Sequence, residues 1–182
     1  MSTTSSTGTH ASVDSRSAES RTGGSTARRE GASIALCTFM LGGRSFGLDV
    51  ALVGEVVVVE GLTPVPLGRP ALRGLFNLRG TPLALVDTKQ VLGITGVENH
   101  ERARTISALV LKHADLVVAL EIDRVDAVVE ASRGQLTAAT SPEENPVVRG
   151  FLQLDGRVVT VLDAETLLAK LDQLRYARSP ET

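Results

Sequence analysis

"RGLFNLRGTPLALVDTKQVLG", Arg73–Gly93, and "RGFLQLDGRVVTVLDAETLLA", Arg149–Ala169, align without a gap. Arg73/Arg149, Gly74/Gly150, Leu78/Leu154, Gly80/Gly156, Asp87/Asp163 and Leu92/Leu168 are identical pairs, and most other pairs keep their character. The echo extends upstream, where "GLDVALVGEVV" (Gly47–Val57) matches "ALEIDRVDAVV" (Ala119–Val129). A duplicated stretch encodes one supersecondary unit twice. Its apolar runs are short, rich in Val and Leu, and broken by Gly and Pro, which is the pattern of strands.

In the first copy the runs predict strands at Ile34–Leu41, Phe46–Val50, Val53–Val59, Phe76–Leu78 and Leu83–Val86, with "GGRS" as a hairpin turn. "GLTPVPLGRP" (Gly61–Pro70) is a loop, because three prolines do not fit a central strand. The second copy repeats the order at Ile106–Leu111, Leu116–Ile122, Val125–Val129, Phe151–Leu154 and Val158–Leu162, with a polar loop through Pro142 and Pro146. The chain therefore reads as all-β, two small five-stranded barrels, since closure removes exposed strand edges. The first is expected at about 45–95 and the second at about 104–164.

Each copy ends on an aspartate followed by helix formers, Asp87 before "TKQVLG" and Asp163 before "AETLLAK". Helix capping explains both at once, better than a catalytic pair, and Asp87 with Gln90 has capping-box spacing. Ala164–Tyr176 carries Leu167, Leu168, Leu171 and Leu174 at helical spacing, as expected of a C-terminal helix packed on a barrel.

Composition excludes several functions. Net charge is −2 and aromatics are 3%, which leaves neither the basic stripe nor the stacking platforms of a nucleic-acid binder. Cys37 is the single cysteine and lies in an apolar stretch, so a buried thiol is expected and a disulfide within the chain is excluded. His10, His100 and His113 show no metal-ligand spacing, and no metal or cofactor is expected. No apolar run reaches the ~18 residues of a membrane helix, and no secretory leader is evident. Residues 1–31, dominated by Ser, Thr and Gly, read as a disordered tail, as do 177–182 at the other end. A cytoplasmic location is expected. No phosphate loop, dinucleotide fingerprint or nucleophile elbow occurs, and the chain is expected not to be an enzyme.

One pair breaks the repeat: Arg79 stands where the second copy has Asp155. Asp155-Gly156 is a strong two-residue hairpin signal because both residues tolerate positive φ. Arginine lacks that tolerance, and its planar fork suits carboxylates on another protein. Two readings stand open here, a partner contact and an exposed arginine in a slightly different turn.

"FMLGGRSFGLDVALVGEV", "TPVPLGRPALRGLFNLRGTPLALVDTKQVLG" and "VVRGFLQLDGRVVTVLDAETLL" together resemble the CheW-like domain family, over roughly residues 32–170 of a domain expected at 32–176. The resemblance implies two SH3-like barrels about a shared core, with an N-terminal strand exchanged between them. It also implies a function: a non-enzymatic, cofactor-free adaptor coupling chemoreceptors to the histidine kinase CheA in bacterial chemotaxis. Such an adaptor contacts the receptor's cytoplasmic hairpin tip and the kinase's CheW-like regulatory domain. It touches neither nucleic acid nor the inside of the membrane. On the matching motifs, the resemblance assigns interaction roles to Arg79, Glu55, Val53, Gly74 and Val128. Val53 and Val128 are expected to flank one seam between the barrels, with ordinary core packing as the competing reading. Gly80, Gly150, Gly156, Asp87 and Asp163 are expected to be structural turns and caps. The chain departs from the family at Ala84, where proline is usual and Pro82 comes two residues earlier. "EVVVVEG" (Glu55–Gly61) is unusually apolar, to cover a partner surface or to widen the core. A divergent paralogue, binding a receptor-like protein in a motility or regulatory pathway without a kinase, is the alternative. A small barrel enzyme or ligand sensor would show an open apolar pocket with converging polar groups.

Overall fold

Strand-forming residues alternate between two environments throughout the computed structural model, which describes residues 33–66, 69–95, 105–139 and 145–175. The tails expected at 1–31 and 177–182, and loop residues 140–144, lie outside the described set. The first half holds β1 (Ser33–Leu41), β2 (Arg44–Asp49), β3 (Val53–Val59), β4 (Leu72–Leu78), β5 (Thr81–Val86) and the short helix α1 (Thr88–Leu92). The second holds β6 (Ile106–His113), β7 (Leu116–Ile122), β8 (Arg124–Ser132), β9 (Thr137–Ala138), β10 (Val148–Leu154), β11 (Arg157–Leu162) and α2 (Ala164–Arg175). Pro82 does not interrupt β5: it sits opposite Asn77 in a ladder that runs unbroken from Thr81 to Leu85.

The strands form two sheets, β8-β1-β2-β11-β10-β9 and β3-β6-β7-β5-β4. The expected division at about 45–95 and 104–164 requires correction, because each sheet draws strands from both halves. The β1–β2 hairpin pairs with second-copy strands, and the β6–β7 hairpin with first-copy strands. The chain changes sheets at two defined places. After β2 it passes through a 3-10 turn, Val50–Leu52, whose Leu52 is buried. After β7 it passes Asp123, whose amide donates to Met40 O at 3.0 Å and whose Oδ2 accepts from Gly42 N at 2.7 Å. Among the described residues the exchange sets two parallel ladders, β2–β11 and β5–β7.

Three apolar clusters result. Ile34, Leu36, Leu152, Val159 and Val161 fill the concave side of the first sheet, and Phe76, Leu83, Leu85, Val110 and Ala119 that of the second. The largest lies between the sheets and includes Phe39, Leu48, Leu109, Leu111, Leu120 and Leu162. This layering explains why "ALVL" in β6 is apolar without alternation: Ala108 and Val110 face one core, Leu109 and Leu111 another. Leu167, Leu168 and Leu171 of α2 seal the shared core, while the side chain of Leu174 lies outside the described set. Cys37 is buried there too, and burial pushes its thiol above the ordinary range, away from the reactive thiolate.

Both helix starts are capped alike. Asp87 Oδ1 accepts from Gln90 N at 3.1 Å, and Asp163 Oδ1 from Thr166 N at 2.9 Å. The amides of Asp87 and Asp163 donate to Ala71 O and Val147 O, each at 2.7 Å. Gln90 does not complete the capping box. Its amide donates to Asp87 Oδ2 at 3.2 Å, since the Asp87 N–H is already engaged. The complete box lies elsewhere, at Ser132 and Gln135.

Candidate functional site

The β4–β5 and β10–β11 hairpins turn in the same way. Arg79 and Gly80 have φ of 52° and 87°, Asp155 and Gly156 have 48° and 77°. A different turn therefore does not account for the arginine. Left-handed geometry costs an arginine roughly 1 kcal/mol more than a residue suited to it. Asn77 supports the turn, its Oδ1 accepting from Gly80 N at 2.7 Å.

From this tip Arg79 reaches Glu55 on β3 with both guanidinium nitrogens, Nη2–Oε2 at 2.8 Å and Nη1–Oε1 at 3.2 Å. A bulge in β3 between Val53 and Glu55, at Gly54, sets that reach. β3 and the β4–β5 hairpin stand at opposite ends of the strand order, so the sheet curls until its two ends meet. The Thr63–Leu75 bridge, with paired hydrogen bonds of 2.8 Å, closes the same gap. Exposed ion pairs contribute about 0–1 kcal/mol, and the Arg79 side chain is 78% exposed. The pair thus does no more than offset the cost of the turn. Closure does not need arginine at the tip either. In the second copy Arg157, two positions past the tip, approaches Asp126 on β8 at 3.9 Å, and Asp126 also pairs with Arg124.

Glu55 has a second cation that the sequence pattern did not single out: Lys112 Nζ of β6 lies 3.4 Å from Oε1. Its counterpart in the repeat is Met40, so comparison of the copies gave no signal.

Val53 and Val128 do not occupy equivalent places. Val53 and its true counterpart Val125 both pack against the core between the sheets. Val128, opposite Cys37, is 62% exposed, and its counterpart is Val56, opposite Leu109 and also exposed. Cys37 and Leu109 both face the shared core. Val56 and Val128 therefore project from the sheet faces that turn toward each other, at the uncovered strands β3 and β8. The apolar "EVVVVEG" run divides accordingly: Val57 packs inward and Val59 is buried, while Val56 and Val58 are exposed.

Gly74 and Gly150 share a contact. A Cβ on Gly74 would lie 2.4 Å from Thr63 O, and one on Gly150 2.3 Å from Thr137 O. Beside the Arg79 turn lies an open hollow of about 530 Å³ lined by Thr63, Pro64, Leu75, Phe76 and Pro82 among others, none of its lining ionisable. Such a lining suits an apolar contact and supplies no acid or base. Among the described residues no group of three or more His, Cys, Asp and Glu is placed to hold a metal. No helix there is long and apolar enough to cross a membrane.

Among the described carboxylates, Glu121 on β7 is the one whose pKa is raised by its surroundings. Its Oε2 is shut from solvent, accepts no well-aligned hydrogen bond, and has Arg73 Nε at 3.3 Å. Burial raises its pKa above the ordinary 4.5, Arg73 lowers it, Asp87 raises it, Lys89 lowers it and Asp123 raises it. The native state thus holds this proton to higher pH than the unfolded chain. The contribution is complete below the unfolded pKa and is lost as pH rises through the folded one. Glu121→Gln removes that loss, so the variant gains stability relative to the parent as pH climbs from 4 toward neutrality. Urea unfolding at successive pH values measures it; a difference independent of pH would refute the assignment.

The comparisons with known proteins agree with this architecture. The CheW-like domain matches residues 35–172. The chain is 27% identical over 135 residues to the chemotaxis protein CheW of Thermotoga maritima, covering 74% of this chain and 87% of that protein. It is 25% identical over 134 residues to the chemotaxis protein CheW of Helicobacter pylori, covering 72% and 79%. The crystal structure of the scaffolding protein TtCheW from Thermoanaerobacter tengcongensis superposes with a TM-score of 0.63 at 20% identity, covering 77% of this chain and 90% of that one, a likeness of fold. With more than half its length matched by that domain, this chain belongs to the CheW-like domain family.

Proposed function

We propose that this chain is a non-enzymatic adaptor of a bacterial chemotaxis-type pathway. It couples methyl-accepting chemoreceptors to the histidine kinase CheA, in the cytoplasm beneath receptor arrays. The observation that supports this most is Arg79. An exposed guanidinium is held at a hairpin tip in a conformation unfavourable to it, by a bidentate contact that adds little stability. Such a residue fits recognition of a carboxylate on a partner's helical hairpin. The open apolar hollow at the same turn, lined by Pro64, Leu75, Phe76 and Pro82, supplies apolar area beside it. The kinase's regulatory domain would occupy a separate surface, which lets one adaptor hold both.

Calorimetric titration of the full chain tests this. The probes are the regulatory domain of the same organism's CheA and, separately, the cytoplasmic fragment of one of its receptors. Micromolar or tighter binding to each is expected, with neither displacing the other. Mutual displacement would refute bridging. Receptor binding without kinase binding would favour the paralogue without kinase coupling, and no binding by folded protein would refute the proposal.

A further inference from the structure

Glu55 faces two cations. Its Oε1 takes Arg79 Nη1 at 3.2 Å and Lys112 Nζ at 3.4 Å, while Oε2 takes Arg79 Nη2 at 2.8 Å. Glu55 with Arg79 alone is neutral, and an approaching carboxylate would meet repulsion from Glu55 nearly equal to the attraction of Arg79. Lys112 changes the sign of the cluster. Its side chain is 52% exposed, and an ammonium has three donors, so the Glu55 contact leaves capacity facing outward.

Gly54 shows that the lysine is positioned. It lies at the β3 bulge and is not among the residues with positive φ, so its backbone does not require glycine. What a Cβ would meet is the lysine stem: Lys112 Cδ at 2.8 Å, Cε at 2.9 Å and Cγ at 3.1 Å. Glycine thus lets the stem lie flat across β3 and brings Nζ to Glu55. The second copy has Asp126 at this bulge position and Met40 at the lysine position, so the arrangement belongs to one sheet.

We infer that Lys112 and Arg79 form a two-cation clamp for a carboxylate on the partner, with Glu55 fixing their spacing and Gly54 seating the lysine. The inference rests on the adaptor reading and gives its receptor-side surface a second specificity-determining residue. The clamp selects a partner that presents an acidic side chain, because a carboxylate can take both cations and bring the cluster to neutrality.

The test uses the full chain and the receptor cytoplasmic fragment, with calorimetry at low and at high salt. Lys112→Gln is expected to weaken binding about tenfold at low salt and to flatten the salt dependence. Lys112→Arg is expected to retain most of the affinity. Gly54→Ala, which keeps both charges but lifts the stem, is expected to weaken binding in the same direction and by less. Affinity for the kinase regulatory domain and the urea midpoint of the three variants should match the parent, which a merely structural role would not allow. Parent-like receptor binding by Lys112→Gln would overturn the clamp while leaving the adaptor reading intact. Absence of receptor binding by the parent itself would overturn both.

Discussion

Replacing Gly150 with alanine is expected to lower the free energy of unfolding by at least about 2 kcal/mol, and Gly74→Ala to do likewise. The new methyl group would stand 2.3 Å from Thr137 O, 3.1 Å from Thr137 C and 3.2 Å from Ala138 Cα, all of them backbone atoms. A side chain could rotate away, but here the β9–β10 ladder has to open by about 1 Å, and its hydrogen bonds lengthen or break. At Gly74 the opposing atoms are Thr63 O at 2.4 Å and Thr63 C at 3.0 Å, with Leu62 Cδ1 at 3.1 Å. The Thr63–Leu75 bridge would part in the same manner. Gly134→Ala is the control, since the nearest atom to its Cβ is Ser132 Oγ at 3.7 Å and its φ is not positive. Urea unfolding should find that variant within about 0.5 kcal/mol of the parent. If Gly150→Ala were equally mild, close backbone approach would not be the reason for the recurring glycine.

Charge reversal at Arg79 carries the second large effect. Arg79→Glu is expected to weaken the receptor fragment's binding at least about thirtyfold, equivalent to ~2 kcal/mol. It removes a cation from the partner and sets a second carboxylate beside Glu55. Stability should change by no more than about 1 kcal/mol, because the lost pair is exposed. The double variant Glu55→Arg with Arg79→Glu separates closure from recognition. A swapped pair can join the ends of the sheet again and recover part of the stability, the rest being withheld because an arginine at 55 would face Lys112, and it presents the wrong charge at the hairpin tip. Partial recovery of stability without recovery of binding is the expected pattern. Restored binding would reduce Arg79 to a closure residue, and parent-like binding of the single variant would remove it from the account. Arg79→Asn completes the series: asparagine suits the left-handed turn, so this variant should be as stable as the parent or more so, and still bind weakly.

Much of this architecture was legible in the sequence. The core-facing runs predicted ten strands that all appear, because Val- and Leu-rich stretches between Gly and Pro leave few other structures open. β9 was missed since Thr137–Ala138 is exposed and carries no apolar pattern; a recurring glycine at 74 and 150 was the sole trace of the close approach. Exchange of an N-terminal strand came only with the family resemblance, and which whole hairpins are exchanged was not legible in the residues for a different reason. Two copies of nearly equal pattern complete either sheet equally well, and sequence similarity cannot tell which copy supplies the neighbour. In the candidate site, the Arg79 mismatch was readable because the repeat supplied its own reference. Val128, expected to flank one seam with Val53, is exposed, and its counterpart is Val56 and not Val53. The gapless alignment of Gly47–Val57 on Ala119–Val129 already pairs Val53 with Val125 and Val56 with Val128; what it does not report is the bulge, present in both copies at Gly54 and Asp126, that sets which of these side chains face outward. Lys112 gave no signal because its role depends on a neighbouring strand.

The exchanged hairpins also govern the order in which the chain can fold during synthesis. β1 and β2 emerge first, yet their sheet needs β8, β10 and β11, so it waits for the chain through Leu162. The other sheet, begun later at Val53, is complete once Ile122 has been made. An isolated hairpin is marginal in water, and the β1–β2 pair carries Phe39, Leu41, Phe46 and Leu48, all buried in the finished molecule. On the ribosome the earliest segment is therefore the last to find its place. The interval between its appearance and its burial is when the nascent chain is most open to wrong pairing, and when a holding chaperone would matter most.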